Sequence, residues 1–554
     1  MRHLAWTRSS AVSQRAAPPP TSWPLAHALL LACLCLLGIA LRVSCVSRPF
    51  WIDEAWVLNS VQATSLAAMF DYREWLQTTP PGLLLVLRAL VQSLPQSLEH
   101  LRWLFVLCGV GTLLLFVRLA LKLLGREFLC LACATFALSP AIVWNATEIK
   151  QYGFDALAMV SSLACGLAYI ERPSRALLAR WCGVNLLFVT LSFSAVFCLP
   201  AMVVVGALMG TAPRWPSRVR AVLPHTVLAA LFVAVLYLTF VHPHAGMSAL
   251  AKFWAQGFFA SSGESPLFYL RRNLSLLFNF LDIETASPAG LLLLLTLCGL
   301  GAGSFLRGAG QAREAWARSA MLALPVIATL AANLLGVYPL GEYRMVAFLA
   351  PCLILLLVRG VACIVHGVFL GSGAVTRQRG VDVLAIAASL AMAVYLANTL
   401  GVPWWGASRD GGARLWRGNT EILPALNYLR EVDDLRRPLF VHAFYHQLYS
   451  YHMRDQPLRA PVSFASSGYP CCIPDRPWHG YGADRDDVAR EVDSLITQHG
   501  RAPFHALLYA RPGWPSRDSA APYVAAFTAR GCAIGWRYDS YRVALLRVEC
   551  AVSE

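Results

Sequence analysis

The stretch "PLAHALLLACLCLLGIALRVSCVSRPFWIDEAWVLNS", residues 24–60, decides the class of fold. Residues 24–43 form an apolar run without a single acid, and its length is that of a bilayer's hydrocarbon core, about 20 helical residues. Ten positions after the run ends come two adjacent carboxylates, Asp53 and Glu54. Adjacent acids beside a membrane are electrostatically costly, so their presence asks for a reason.

Composition extends the first half of this reading to the whole chain. Of 554 residues, 57% are hydrophobic and only 14% charged, against about 25% charged in soluble domains. Mean hydropathy is +0.53. Apolar runs recur at 24–43, 101–121, 128–144, 152–170, 181–192, 194–210, 221–241, 288–306, 319–338, 345–366 and 381–401. The expected fold is therefore an α-helical polytopic membrane protein of about 11 transmembrane helices. The N-terminus is basic (Arg2, Arg8, Arg15) and no small-residue cleavage site is clear, so the first run reads as a retained helix rather than a signal peptide.

The formal charge of +15 points to topology rather than to nucleic acid, because basic residues collect in cytoplasmic loops. The segment 80–95, "PPGLLLVLRALVQSLP", is short, carries Arg88 and reads as a helix lying in the interface. With that choice, the loops 1–23, 118–127, 171–180, 211–220, 307–318 and 359–379 hold 18 Lys/Arg and 3 acids. The loops on the other side, 44–100, 145–151, 242–287 and 339–344, hold 8 basic and 10 acidic residues. The asymmetry assigns the first set to the cytoplasm and the second, with the acidic pair, to the outside.

Three parts follow: a cytoplasmic N-terminus at 1–23, a transmembrane part at 24–402 with a first outer loop at 44–100, and a polar extracytoplasmic tail at 403–554. In the tail, "PLFVHAF", "FHALLYA" and "YRVALLRVE" alternate as strands do. "RDDVAREVDSLITQHG" and "APYVAAFTARG" read as helices ending near glycine. A small α/β domain is expected. Its four cysteines, Cys471, Cys472, Cys532 and Cys550, sit where an oxidising compartment would permit a disulfide, in a pairing that sequence leaves open.

Three outward stretches carry candidate chemistry. Asp53 reads either as the N-cap of a helix running to about Phe70, with Glu54 at the dipole's positive end, or as a general base for an incoming hydroxyl. In "SPAIVWNATEIKQYGFDAL", residues 139–157, Glu148, Tyr152 and Asp155 have the spacing of one helix face, while Asn145 and Glu148 have that of a capping box. Lys150, one of three lysines in the chain, lies in the same turn. In "GVYPLGEYRMVAFLAPCLILLL", residues 336–357, Arg344 follows Tyr338 and stands between two spans. Its guanidinium either snorkels beside Glu342 or holds a phosphate. Arg271 and Arg272 are further phosphate candidates. Gly299, Gly301 and Gly303 suit helix packing better than nucleotide binding. No convincing metal-ligand set is present, with "HPH" at 242–244 the strongest fragment, and the sequence neither requires nor excludes a divalent metal.

Taken in order, "WIDEAWVLN", "TTPPGLLLVLRAL", "SPAIVWNATEIKQYGFD" and "YPLGEYR" resemble the elements of the polytopic C-type glycosyltransferases. The similar group is the bacterial branch related to protein O-mannosyltransferases and to the lipid A aminoarabinose and galacturonic acid transferases. The resemblance covers about residues 24–370. It implies an inner-membrane enzyme that moves a sugar from a polyprenyl-phosphate donor to an acceptor glycan, lipid or protein outside the cytoplasm, with inversion. It puts the catalytic aspartate on Asp53 with Glu54 beside it, the second acid on Glu148, and the arginine of the late motif on Arg344. Lys150, Arg344, Arg271 and Arg272 are then the candidates for the donor phosphate, and Tyr152, Asp155 and Tyr338 for the substrate pocket. Some relatives carry a basic residue just before the paired prolines, where this chain has Thr78 and Thr79. A transporter or flippase of lipid-linked sugars is the alternative, but it predicts inverted repeats, which the sequence lacks. A non-catalytic envelope assembly protein is another.

Overall fold

The computed structural model describes residues 25–47, 52–71, 78–94, 98–244, 254–281, 287–306, 312–369, 374–399, 422–431, 437–442, 445–453, 462–464, 485–499, 502–509, 516–539 and 543–550. Helix dominates up to residue 399. In chain order the helices are α1 (Leu25–Ser44), α2 (Ile52–Val61), α3 (Leu66–Met69), α4 (Pro81–Ser93), α5 (Leu98–Leu124), α6 (Leu129–Leu138), α7 (Pro140–Asn145), α8 (Tyr152–Glu171) and α9 (Arg175–Leu191). They continue as α10 (Leu199–Met209), α11 (Trp215–Leu236), α12 (Pro266–Leu277), α13 (Pro288–Leu306), α14 (Ala312–Leu334), α15 (Tyr343–Val346), α16 (Ala350–Val368) and α17 (Ala374–Thr399).

Each of the eleven expected spans falls on helix. Eight stretches are long and apolar enough to cross a membrane: Leu25–Ser44, His100–Leu124, Tyr152–Glu171, Trp215–Val241, Pro288–Leu306, Ala312–Leu334, Tyr343–Val368 and Gln378–Thr399. The other three expected spans fall on shorter helices, around α6, α9 and α10.

Helix α6 is the hub. All ten of its residues are buried, and α1, α5, α16 and α17 pack around it. The span expected at 128–144 is broken at Ser139, where Pro140 removes the N–H that would have bonded to the carbonyl of Phe136. The freed carbonyls are met from α1. The buried Arg42 donates from Nη1 to Ala137 O at 3.0 Å and from Nη2 to Phe136 O at 3.5 Å. Ser139 accepts from the Ile142 N–H at 3.3 Å and restarts the chain as α7. A charged side chain inside the bundle thus does a backbone donor's work.

Helices α13 and α16 approach closely through a reciprocal pair of glycines. A Cβ on Gly301 would run into the carbonyl oxygen of Leu356, and one on Gly360 into that of Leu297. Gly299 and Gly303 face open space, so of the three glycines expected to pack helices only Gly301 makes the contact.

Beyond residue 421 the described chain forms α18 (Leu423–Glu431), α19 (His446–Met453), α20 (Arg485–His499) and α21 (Ser516–Ala529), with a five-stranded sheet. The strands β1 (Leu439–Val441), β2 (Val462–Phe464), β3 (Phe504–Tyr509), β4 (Cys532–Asp539) and β5 (Val543–Cys550) lie in the order β2-β1-β3-β5-β4. The first three are parallel and β5 is antiparallel to both β3 and β4. Cys532 and Cys550, directly opposite in the β4–β5 register, form a disulfide. Cys471, Cys472 and the expected boundary at 402/403 lie outside the described residues.

The sheet is not a free appendage. One apolar cluster joins Ala55, Leu58 and Val61 of α2 and Leu83 and Leu87 of α4 to Ile422, Leu426, Tyr445 and Leu448. Inside this contact Asn59 Nδ2 donates to the backbone O of Gln447 at 2.9 Å and to its Oε1 at 2.7 Å. Helix α2, which carries the acidic pair, is therefore braced from outside the membrane bundle.

Candidate active site

Helix α2 begins at Ile52 and stops at Val61. The helix expected to run from Asp53 to Phe70 is thus shorter, with Asp53 inside its first turn and not at its cap. The break is stabilised locally. Arg88 of α4 donates to the carbonyls of Val61 at 3.1 Å and Ala63 at 2.9 Å, and Ser65 accepts from Ala68 N at 3.0 Å to open α3.

The two acids of the pair point to different partners. Glu54 is fully buried. It receives Arg102 Nη2 at 2.7 Å and Nε at 3.3 Å, and the backbone N–H of Ile149 at 3.1 Å. Arg102 also donates to Val46 O at 3.0 Å. Glu54 therefore ties together the end of α1, the start of α2, helix α5 and the turn at 146–151. Asp53 faces the other way, is about a quarter exposed, and pairs with Arg344.

Glu148 and Lys150 lie in the turn between α7 and α8. The expected capping box does not form, because Asn145 ends α7 and α8 starts only at Tyr152. Glu148 is consequently not on one helical face with Tyr152 and Asp155. The turn is tight, with Lys150 N bonded to Glu148 O at 2.7 Å, and it buries both side chains. Burial pulls the Lys150 ammonium below the ordinary lysine range, while Asp53 and Glu148 pull it up and Arg344 pushes it down. No carboxylate lies within ion-pair distance of Lys150 among the described residues.

Arg344 reaches Asp53 on one side and Glu342 on the other, with its Nε 2.6 Å from Glu342 Oε2, and lies over the Trp254 ring at 5.6 Å. Its loop is held by a polar knot. Gly257 O accepts from Leu340 N at 2.8 Å and from Asn333 Nδ2 at 2.7 Å, and the Tyr269 hydroxyl sits 2.8 Å away. Asn333 Nδ2 also donates to Tyr338 O at 2.9 Å, and the Tyr338 hydroxyl donates to Met345 O at 2.8 Å. Gly341 has φ +29°, and a Cβ there would stand 3.1 Å from the Gly257 Cα. Glycine is what lets the two strands of backbone meet.

The structure thus brings Asp53, Glu148, Lys150, Tyr152 and Arg344, drawn from three separate stretches, into one electrostatic neighbourhood. Asp155 lies deeper, against Ser192 and Ser194. Arg271 and Arg272 sit on α12, which packs on α15; Arg272 is held by Glu264 at 3.2 Å and Arg271 points outward. Among the described residues no group of three or more His, Cys, Asp or Glu gathers as a metal site. Arg102, Trp254 and Asn333 leave no mark in the sequence, because each is a lone residue in a largely apolar stretch, with no spacing to single it out.

At the level of sequence no family model matches the chain, and no curated protein does either. Solved structures do. ArnT from Cupriavidus metallidurans bound to undecaprenyl phosphate aligns with TM-score 0.51 and 13% identity, over 95% of this chain and 98% of that one. The chain shares the fold of the C-type glycosyltransferases. The oligosaccharyltransferase of Archaeoglobus fulgidus tethered with an acceptor peptide aligns with TM-score 0.49 and 12% identity, over 94% of this chain and 73% of that one. Set on the ArnT-like fold, the acidic cluster lies at the start of α2, in the turn before α8 and at the start of α15.

Proposed function

We propose that this protein is an integral-membrane glycosyltransferase that moves a sugar from a polyprenyl-phosphate donor to a hydroxyl acceptor outside the cytoplasm. The observation that carries the proposal is the convergence of Asp53, Glu148, Lys150 and Arg344 on a fold that in ArnT is solved with undecaprenyl phosphate. Two cations beside two carboxylates at the mouth of a membrane bundle match an anionic lipid-linked donor meeting a neutral acceptor.

In this reading Asp53 accepts the proton of the acceptor hydroxyl as its oxygen attacks the anomeric carbon. The bond from that carbon to the phosphate oxygen breaks, and polyprenyl phosphate leaves as an anion held by Lys150 and Arg344. One displacement inverts the configuration. Phosphate is a good leaving group, so positioning and charge stabilisation supply most of the acceleration. Arg344 pairs with Asp53 before the acceptor arrives. Glu148 orients the acceptor or sugar. Glu54, sealed behind Arg102, positions Asp53 and the 146–151 turn without touching substrate. Tyr152, Asp155 and Tyr338 line the sugar side, and Arg271 and Arg272 lie further out as a landing site for the donor.

An extracytoplasmic site in an inner membrane is supported by the charge asymmetry of the loops and by the Cys532–Cys550 disulfide, which needs an oxidising compartment. The tail at 403–554 is taken as the outer domain.

The test is transfer from a radiolabelled polyprenyl-phosphate sugar by the purified full chain. Asp53→Asn is expected to lower kcat by about 10²- to 10⁴-fold, the scale of a lost general base, with donor binding retained. Wild-type-like turnover in that variant would remove Asp53 from the chemistry.

A further inference from the structure

A second charged cavity opens at the far end of the same helices. It lies between α5, α8 and α9 and has a volume of about 270 Å³. Lys122 and Arg102 are both on α5, 20 residues apart and so about 30 Å along the axis. The cavity is therefore at the membrane face opposite the acidic cluster. Three cations line it: Arg118 and Lys122 from α5, and Arg180 from α9. The acid beside them, Glu171, is taken by Lys122 at 2.7 Å. Arg118 and Arg180 make no hydrogen bond or ion pair among the described residues.

We propose that this cavity binds the headgroup of an anionic glycerophospholipid. The floor is apolar, formed by Leu119, Leu167 and neighbours. A volume of 270 Å³ lies just below the range of small-molecule pockets, about 300–1,000 Å³, and suits a phosphodiester head rather than a whole lipid. The tails have a track to follow. Leu114 lies one helical turn before Arg118 on the same face of α5, toward the membrane's middle, and is 52% exposed. Leu187 lies two turns beyond Arg180 on the same face of α9, also toward the middle, and is 59% exposed. Cations at the rim, apolar surface running inward and an excess of positive charge together match an anionic lipid standing in the leaflet. Basic pockets between transmembrane helices recognise such headgroups in this way.

Native mass spectrometry of the full chain in neutral detergent, titrated with phosphatidylglycerol or phosphatidylcholine, tests the assignment. Wild-type protein is expected to retain phosphatidylglycerol in preference. Arg118→Gln/Arg180→Gln is expected to lose about thirtyfold in phosphatidylglycerol retention, each cation contributing about fivefold, with phosphatidylcholine unchanged. Ala168→Trp, which fills the cavity and leaves the charges in place, is expected to expel the lipid as well. Arg220→Gln, an exposed cation elsewhere, is the control and should keep it. Equal retention by wild type and the double variant overturns the proposal, as does an equal loss in Arg220→Gln. Tighter binding of polyprenyl phosphate than of phosphatidylglycerol overturns the choice of occupant, and retention of soluble glycerophosphate alone overturns the lipid. Donor-sugar turnover in detergent is expected to be unchanged in the double variant, so this result stands apart from the fate of the Asp53 experiment.

Discussion

Glu54 and Arg102 form a two-point ion pair inside the protein, Oε2 to Nη2 at 2.7 Å and Oε1 to Nε at 3.3 Å, with both side chains sealed from water. A buried pair of this kind is weak support for stability as a whole, but breaking it strands a charge and costs about 3–5 kcal/mol. Glu54→Gln and Arg102→Gln are each expected to lower stability on that scale. The double variant is expected to cost clearly less than the sum, since no charge is left behind. Unfolding midpoints in detergent measure the cycle, and strictly additive losses would show that the two residues are not coupled.

If Lys150 holds the donor phosphate as proposed, donor binding is sensitive to alkali. Burial lowers its pKa, so the ammonium gives up its proton below the ordinary lysine value of about 10.4. The charged form is the one that attracts phosphate. Donor KM is therefore expected to rise with pH earlier than an exposed lysine would allow, with kcat less affected. Lys150→Arg should move that rise to higher pH, because a guanidinium keeps its proton throughout the range. A KM profile that is the same for both proteins would exclude Lys150 from phosphate binding.

Much of the bundle was legible because membrane spans are written in length and polarity, and the positions from Leu25 to Thr399 obey that rule. Asp53, Glu148 and Arg344 were legible as types out of place: charges at the ends of apolar runs. What could not be read was direction. Nothing in "WIDEAW" says that Glu54 turns inward to Arg102 while Asp53 turns outward to Arg344, since neighbouring helical side chains diverge by about 100° and only the packed partners fix which goes where. The Asn145–Glu148 spacing suggested a cap that the chain does not make, because Pro140 had already ended one helix and set α7 in its place. Long-range polar contacts such as Asn59–Gln447, 388 residues apart, leave no local pattern at all.

That last contact bears on whether the polar tail is separable. The apolar cluster under α2 is completed by Leu426, Tyr445 and Leu448. Removing residues 403–554 would expose it to water and take away the two acceptors that Gln447 offers the Asn59 amide. Truncation before residue 403 is expected to abolish transfer and to yield aggregated or degraded protein, in place of an active membrane core. Gln447→Ala is the milder probe. It removes the bond to Oε1 and keeps the one to the backbone carbonyl, so it should cost about 0.5–1.5 kcal/mol, the scale of one hydrogen bond, and lower kcat more than it raises donor KM, because it loosens α2 without removing a cation. A fully active truncated chain would show that the tail does not brace the site.

Arg344 is the residue on which charge and shape can be separated. Its guanidinium meets Asp53 and Glu342 together and lies over the Trp254 ring at 5.6 Å. A lysine keeps the charge but presents a compact point donor, without the planar fork that pairs with an oxyanion through two parallel bonds and lies against an indole. If Arg344 only neutralised Asp53, Arg344→Lys would retain near-native turnover. If the planar fork also holds the departing phosphate, the substitution removes at least one charge-assisted hydrogen bond worth about 1.5–3 kcal/mol, and kcat/KM is expected to fall about 10- to 100-fold. Trp254→Phe, which preserves an aromatic face, should cost less than Trp254→Ala, and both should cost less than Arg344→Lys. Donor titrations alongside turnover separate the outcomes: a loss confined to kcat places the fork on the leaving group in the transition state, and a loss confined to KM places it on the bound donor.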